Sequence, residues 1–416
     1  MRRYCGNIVV ALSAFLFALL VAEGALRWTR LSDVEGDNLP PDPRFYYVTD
    51  SATGFDHAVG FLPRPLRLVD YAEQNGHFFD VWTNALGCFD TPHVTDKIDV
   101  LLVGDSFTRG YAPFDSTWGA ILERGTGTTI AKCGVTGFGT RQARIKAEKV
   151  VRRIGPPTLI VLGYFVGNDM MDDLLFPLAT VSDGYRTSRG ALFDEATGTA
   201  RALSDEEFAT ARRVVWKEPL GLRRAKRFLA RHSTIYNLLR NNLLIRSTLV
   251  RIGLAEVTRA PWPFRLVKSH PWLEAAWADH LASLRDFRNS AQAMGTQLLV
   301  VVFPAREQVY DYMRPPDPDA RWDQPNERLH TFFKAEDIRF FDLLPELRSR
   351  ADQRPKRRLD PERDLYWRHD PHLNLRGNRL VGLLVSRYLL EQRFLDPVDR
   401  EKRLLDAEWE LARWPH

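Results

Sequence analysis

Cysteine is scarce in this 416-residue chain, and three residues of it cannot frame a disulfide-stapled scaffold. Cys88 and Cys133 can pair once at most, and only in an oxidising compartment. An excess of one charge sign is also lacking. Fifty-eight basic against 53 acidic residues leave a formal net charge of +5, too small an imbalance to name a nucleic-acid partner. A composition of 44% hydrophobic and 27% charged residues argues against both extended disorder and a multi-span membrane protein. There is no internal repeat and no low-complexity tract. Missing motifs exclude further chemistries: no serine sits in Gly-x-Ser-x-Gly, and neither a Gly-x-x-x-x-Gly-Lys phosphate loop nor a His-Glu-x-x-His zinc helix occurs. No cofactor or metal is expected.

What is present begins at the N-terminus. Arg2 and Arg3 precede an apolar run from Ile8 to Ala22, broken only by Ser13, and Glu23, Arg27 and Trp28 follow. That order reads as a secretory signal or a signal anchor. Extended to Leu26, the run reaches the roughly nineteen or twenty residues that a bilayer crossing needs. We take it as a retained anchor in the inner membrane, with the body on the extracytoplasmic, periplasmic side. Cys5 lies ahead of the run, where a lipoprotein cysteine would have to follow it.

Residues 31–97 are rich in Asp, Pro, Gly and aromatics and read as an irregular lead-in with short strands such as Phe78 to Thr83. The pattern then changes. A short apolar run, Ile98 to Val103, ends at Gly104-Asp105-Ser106, and a helical stretch containing Trp118, Ile121 and Leu122 follows. Strand and helix alternate again over 128–133, 141–154 and 158–164. The alternation resumes with a helix over 273–294, a strand over 297–303, a helix near 326–334, a strand over 338–342 and a helix over 374–390. Such alternation predicts an α/β fold with a parallel sheet. Between them, residues 170–270 form an insertion with an amphipathic, Arg-rich helical part from Ala211 to Arg251, read as a lid with a solvated basic face or as a contact for anionic lipid or glycan. The organisation expected is therefore an anchor at 1–30, a lead-in at 31–97, a main domain at 98–395 and a tail at 396–416.

Four segments carry chemistry. Ser106 falls where a strand turns into a helix, so it is presented at the carboxyl edge of the sheet, where open α/β folds bind ligands. On the tripeptide alone it is equally a helix cap. Gly134-Val135-Thr136-Gly137-Phe138-Gly139 follows the next strand and lets a backbone amide approach a substrate closely; a structural turn explains it as well. Gly167-Asn168-Asp169 follows the third strand, and an Asn side chain offers the amide donor that an oxyanion requires. Asp370-Pro371-His372-Leu373-Asn374 precedes the helix over 374–390. A serine nucleophile needs a base, and the base an acceptor that fixes its tautomer. A capping histidine, or a metal held by His369 and His372, are the other readings of that segment.

Taken in order, the four segments resemble the motif blocks of the SGNH (GDSL-like) hydrolase superfamily, over roughly Lys97 to Arg393. The resemblance implies a flavodoxin-like three-layer α/β/α sandwich. It makes Ser106 the nucleophile and His372 the general base, with Asp370 orienting the histidine; many members carry the aspartate three positions ahead of the histidine, where this chain has His369, and Asp364 is therefore held in reserve. The amides of Ser106 and Gly137 and the Asn168 side chain would form the oxyanion hole. The Asp-x-His spacing, and more loosely Phe303-Pro304-Ala305-Arg306-Glu307-Gln308, resemble membrane-anchored bacterial members linked to polysaccharide O-acylation. The expected activity is ester hydrolysis, O-acyl or O-acetyl groups being removed from carbohydrate through an acyl-Ser106 intermediate. The alternatives are an O-acetyltransferase modifying an exported polysaccharide and a non-catalytic glycan-binding or assembly subunit. The substrate expected is an acylated small molecule or polysaccharide.

Overall fold

The computed structural model of the chain describes residues 42–92, 97–182, 185–188, 191–194, 196–202, 260–315, 317–356, 359–368 and 370–415, with residues 13, 14, 17–25, 233 and 235. The chain divides into two units, one formed by residues 1–38 and 204–258 and the other by residues 39–203 and 259–416. In the first, Glu23 accepts hydrogen bonds from Ser233 Oγ and Ile235 N, each at 3.0 Å. No helix among the described residues is long and apolar enough to cross a membrane. The anchor predicted over 1–30 and the Arg-rich helical part predicted over 211–251 lie largely outside the described residues.

The larger unit opens with two antiparallel pairs, the hairpin β1 (Tyr47–Asp50) with β2 (Gly54–His57), and β3 (Arg64–Leu66) with β4 (Phe79–Val81), joined through the helix Val69–Asn75. Five strands then build the main sheet: β5 (Val100–Gly104), β6 (Ile130–Lys132), β7 (Leu159–Phe165) and, beyond two further hairpins, β12 (Gln297–Phe303) and β13 (Arg339–Asp342). Those further hairpins pair β8 (Ala179–Ser182) with β9 (Tyr185–Ser188) and β10 (Ala191–Asp194) with β11 (Thr199–Ala202), within the predicted insertion. The sheet runs β13-β12-β7-β5-β6 and every pairing in it is parallel. Numbered by first appearance this is 2-1-3-4-5, the flavodoxin-like order, whose ligand crevice opens between its first and third strands, here β5 and β7.

Alternation along a doubly covered strand makes the three layers. Val100 and Leu102 point into a core shared with Trp118, Leu122, Leu380 and Leu384, from the helices Trp118–Thr126 and Leu375–Glu391. Leu101 and Val103 point the other way, into a core with Ala143, Ala147, Trp277 and Leu284 of the helices Thr140–Ile154 and Trp272–Ala293. Because both faces are covered, these strands read as continuous apolar runs. A third cluster joins Tyr46, Phe55, Leu66 and Phe79 to Tyr111, Val135, Phe138 and Trp367. The segment ahead of β5 therefore packs onto the loops at the carboxyl edge of the sheet. Cys88 and Cys133 form a disulfide that fastens this segment to the end of β6. Residues 400–412 form a helix packed against Leu375–Glu391.

Candidate active site

The turn after β5 is shaped by close approach. Gly104 has φ +144°, and a side chain there would collide with the Gly163 carbonyl and the Thr108 hydroxyl. Gly104 and Gly163 are register partners, so the short helix Ser106–Arg109 seats directly on the strand ends. Thr108 Oγ1 donates across that contact to the Gly163 carbonyl at 3.2 Å. The cap of this helix is Asp105, whose carboxylate accepts from Phe107 N at 2.8 Å. Ser106 is thus released from the capping role that its position also suggested. Asn374 likewise caps the helix Leu375–Glu391, accepting from Gly377 N at 2.9 Å, so His372 is not a cap either.

Instead the two meet. His372 Nε2 lies 2.7 Å from Ser106 Oγ, and His372 Nδ1 lies 2.5 Å from Asp370 Oδ1. Asp370 also accepts from the His372 backbone amide at 2.9 Å, which ties carboxylate and imidazole into one turn. That turn is held by an isolated bridge between Tyr366 and Leu373 and by Trp367 N donating to the His372 carbonyl at 3.0 Å. The ring itself is confined by aromatics. Tyr111 stacks on it with centroids 4.3 Å apart, and the Phe107 centroid lies 5.0 Å away. Beneath Tyr111 the buried Arg109 guanidinium sits 5.1 Å from the ring and pairs with Asp42 at 3.4 Å. Asp364, the reserve candidate, is engaged elsewhere: it accepts from Lys356 Nζ at 2.9 Å and from Asp360 N at 2.6 Å. His369 lies outside the described residues.

Two carboxylates beside the serine are pushed in opposite directions. Burial by itself would raise Asp370, but the charge and hydrogen bonds of His372 outweigh it and hold the carboxyl below its ordinary range. Burial dominates at Asp105 and pushes it up to about 6, against the opposing pull of His372 and the bond from Phe107 N. An ionised carboxylate only accepts, so Asp370 fixes the proton on Nδ1 and leaves Nε2 as the acceptor facing Ser106. Ser106 Oγ also lies 3.3 Å from Asp105 Oδ2. A hydroxyl donates one proton, and the shorter contact, to His372, takes it.

The remaining two predicted residues flank this group at the same sheet edge. Gly137, in the turn after β6, has φ +78°, and its bare Cα lies against the Arg186 guanidinium from β9. Asn168, after β7, opens the helix Asp169–Leu175. It is part-exposed, with its Oδ1 buried and without a hydrogen-bond partner among the described residues. Sequence reasoning did not find Phe107, Tyr111, Trp367 or Arg186. Phe107 follows Ser106 directly but carries no motif signal, and the other three reach the site by tertiary packing.

Fold and site together define an α/β protein with a Ser-His-Asp arrangement at the topological switch point of a flavodoxin-like sheet. Residues 259–410 match the family described as "SGNH hydrolase-like domain, acetyltransferase AlgX". The match agrees with the SGNH likeness over the stretch that contains Asp370 and His372, while Ser106, Gly137 and Asn168 precede it. No curated protein matches the chain. Solved structures that resemble it include the acetyl xylan esterase AlAXEase, at 12% identity over 70% of this chain and 98% of that one, TM-score 0.35. Others are G-D-S-L family lipolytic proteins from Veillonella parvula (14% identity, 71% and 99% covered, TM-score 0.33) and Desulfitobacterium hafniense (13%, 69% and 97%, TM-score 0.31). At such scores the fold rests on the sheet order itself.

Proposed function

We propose that this chain transfers acyl groups through an acyl-Ser106 intermediate, as an O-acyl or O-acetyl esterase acting on carbohydrate. The observation that carries this reading is the continuous contact from Asp370 through His372 to Ser106 Oγ. His372 Nε2 takes the Ser106 proton while Oγ bonds to the ester carbonyl carbon. The carbonyl electron pair moves onto oxygen, where the amides of Ser106 and Gly137 and the Asn168 side chain stabilise it. Collapse breaks the ester bond, and His372 returns the proton to the departing alkoxide. A second hydroxyl, from water or from a sugar, is deprotonated by His372 as its oxygen bonds to the acyl carbon; the acyl–Oγ bond then breaks and His372 returns the proton to Ser106 Oγ.

The released group can pass to either acceptor, and one observation favours a sugar hydroxyl: the family matched over 259–410 is described as an acetyltransferase. We hold O-acetyl transfer to an exported polysaccharide as the second reading. Incubating the full-length protein with para-nitrophenyl acetate, with and without oligosaccharide acceptors, separates the two. Acetylated sugar at the expense of acetate supports transfer, and acetate alone supports the esterase. No turnover with folded protein would leave a non-catalytic glycan-binding subunit.

An extracytoplasmic body on a retained N-terminal anchor is part of the same proposal. The Cys88–Cys133 disulfide supports it, because such bonds persist outside reducing compartments. Protease added to spheroplasts should digest the body, and full protection would contradict this placement.

A further inference from the structure

A second hydrogen-bonded chain lies outside the Ser106 site. Asp173 Oδ2 is 2.7 Å from His280 Nδ1, and His280 Nε2 is 2.9 Å from the Tyr164 hydroxyl. All three side chains are buried, none more than 2% exposed. Burial, then the nearby charges of Asp169 and Asp173, push the Tyr164 hydroxyl well above its ordinary range, so it stays protonated and donates to Nε2. His280 therefore donates from Nδ1 to Asp173. The other Asp173 oxygen accepts from Arg141 N at 2.9 Å, and the bare Cα of Gly139 rests against the same carboxylate.

These contacts join elements that the sheet leaves apart. β6 and β7 lie on opposite sides of β5, so no ladder hydrogen bond connects the turn after one with the turn after the other. Gly137 belongs to the first turn and Asn168 to the second. Asp173 sits on the helix that Asn168 opens, while its partners Arg141 and Gly139 belong to the segment that follows Gly137. His280 comes from the long helix Trp272–Ala293, whose Ser283 Oγ also accepts from Arg141 Nε at 2.8 Å.

We propose that Asp173, His280 and Tyr164 are positioning residues that set the separation between the Gly137 amide and the Asn168 side chain. This rests on the reading of those two groups as oxyanion donors. The physical ground is that a donor displaced by about 1 Å loses much of its effect on a developing charge, with losses of roughly a hundredfold documented for such shifts.

The test uses full-length protein and para-nitrophenyl acetate. His280→Gln can still accept from Tyr164 but cannot reach Asp173, whereas His280→Asn keeps a donor at the Nδ1 position. We expect kcat of His280→Gln to fall roughly tenfold to a hundredfold with KM nearly unchanged, a smaller loss than removing a donor outright. His280→Asn should recover part of it, since it keeps the bond to Asp173 and loses the one to Tyr164. Adding His280→Gln to Asn168→Ala should cost little more, since the donor being positioned is gone. Wild-type kcat in folded His280→Gln, or losses that multiply in the double variant, would overturn the proposal. If His280→Gln does not fold, Tyr164→Phe removes one hydroxyl only; it should lower kcat at constant KM, and an unchanged kcat overturns the proposal equally. Ser106→Ala runs alongside. Turnover that survives it refutes the acyl-Ser106 reading, while turnover that needs Ser106 but ignores His280 refutes the positioning role alone.

Discussion

Ser106 and His372 stand 266 positions apart in the chain, and their side chains meet at 2.7 Å. The serine arrives on the turn after β5 and the histidine on the turn ahead of the helix Leu375–Glu391, which packs against Trp118–Thr126. Asp370, two positions from His372, completes the contact.

The roles of the two candidate aspartates are separable. Asp370→Asn would present an amide donor to Nδ1 and reverse the tautomer, so esterase kcat should fall by roughly a thousandfold or more. Asp364→Asn should leave kcat within a few-fold and lower the melting temperature instead, because Asp364 binds Lys356 and the Asp360 amide. Steady-state kinetics and thermal unfolding of the two variants check this; the opposite pattern would assign the orienting role to Asp364.

Asn168→Ala should lower kcat by roughly a hundredfold to a thousandfold, the usual consequence of losing one oxyanion donor. Ser106 should remain reactive toward fluorophosphonate in this variant, only more slowly, since the Asp370-His372-Ser106 contact is untouched. Comparing labelling rate with turnover reads both effects at once.

Much of this arrangement was legible in the sequence because each block combines a strand end with a distinctive turn. The run Ile98 to Val103 announces a doubly buried strand, and Gly104-Asp105-Ser106 marks where it stops. The predicted helix over 273–294 and strand over 297–303 correspond to Trp272–Ala293 and Gln297–Phe303. The order of strands was not legible, since pairing between distant segments leaves no periodic trace, and it came from the family resemblance. The Asp-x-His spacing pointed to Asp370, whereas the engagement of Asp364 by Lys356 is a long-range contact with no trace in the sequence. The aromatic cluster around Tyr46, Tyr111 and Trp367 could not be read because its members come from three distant segments without period. The hairpins β8–β9 and β10–β11 were read only as part of the insertion over 170–270.

The disulfide closes a loop with a sequence separation of 45. By the loop-entropy argument its removal should cost about 4 kcal/mol of stability. Cys88→Ser with Cys133→Ser should therefore melt several degrees lower than the wild type in calorimetry. Added reductant should reproduce the drop in the wild type and leave the double variant unchanged.

Asp172 supplies a pH signature. Burial, reinforced by Asp105 and opposed by Arg186, pushes its carboxyl up to about 8, and its Oδ2 is buried without a hydrogen-bond partner among the described residues. Its folded pKa thus lies above the ordinary value near 4 of the unfolded chain. The folded state binds the extra proton, so this group subtracts stability progressively as pH rises from about 4 to about 8. Asp172→Asn should raise the melting temperature at pH 8, with the gain shrinking toward pH 4. Melting curves across that range decide it, and a gain confined to acid pH would contradict the assignment.

Fluorophosphonate labelling of the full-length protein, read by intact mass and by peptide mapping, tests the central claim most directly. One adduct on Ser106, lost in Ser106→Ala and strongly slowed in His372→Ala, is the predicted result. A folded wild-type protein that takes no label, or takes it at another residue while Ser106→Ala keeps full esterase turnover, would contradict the account.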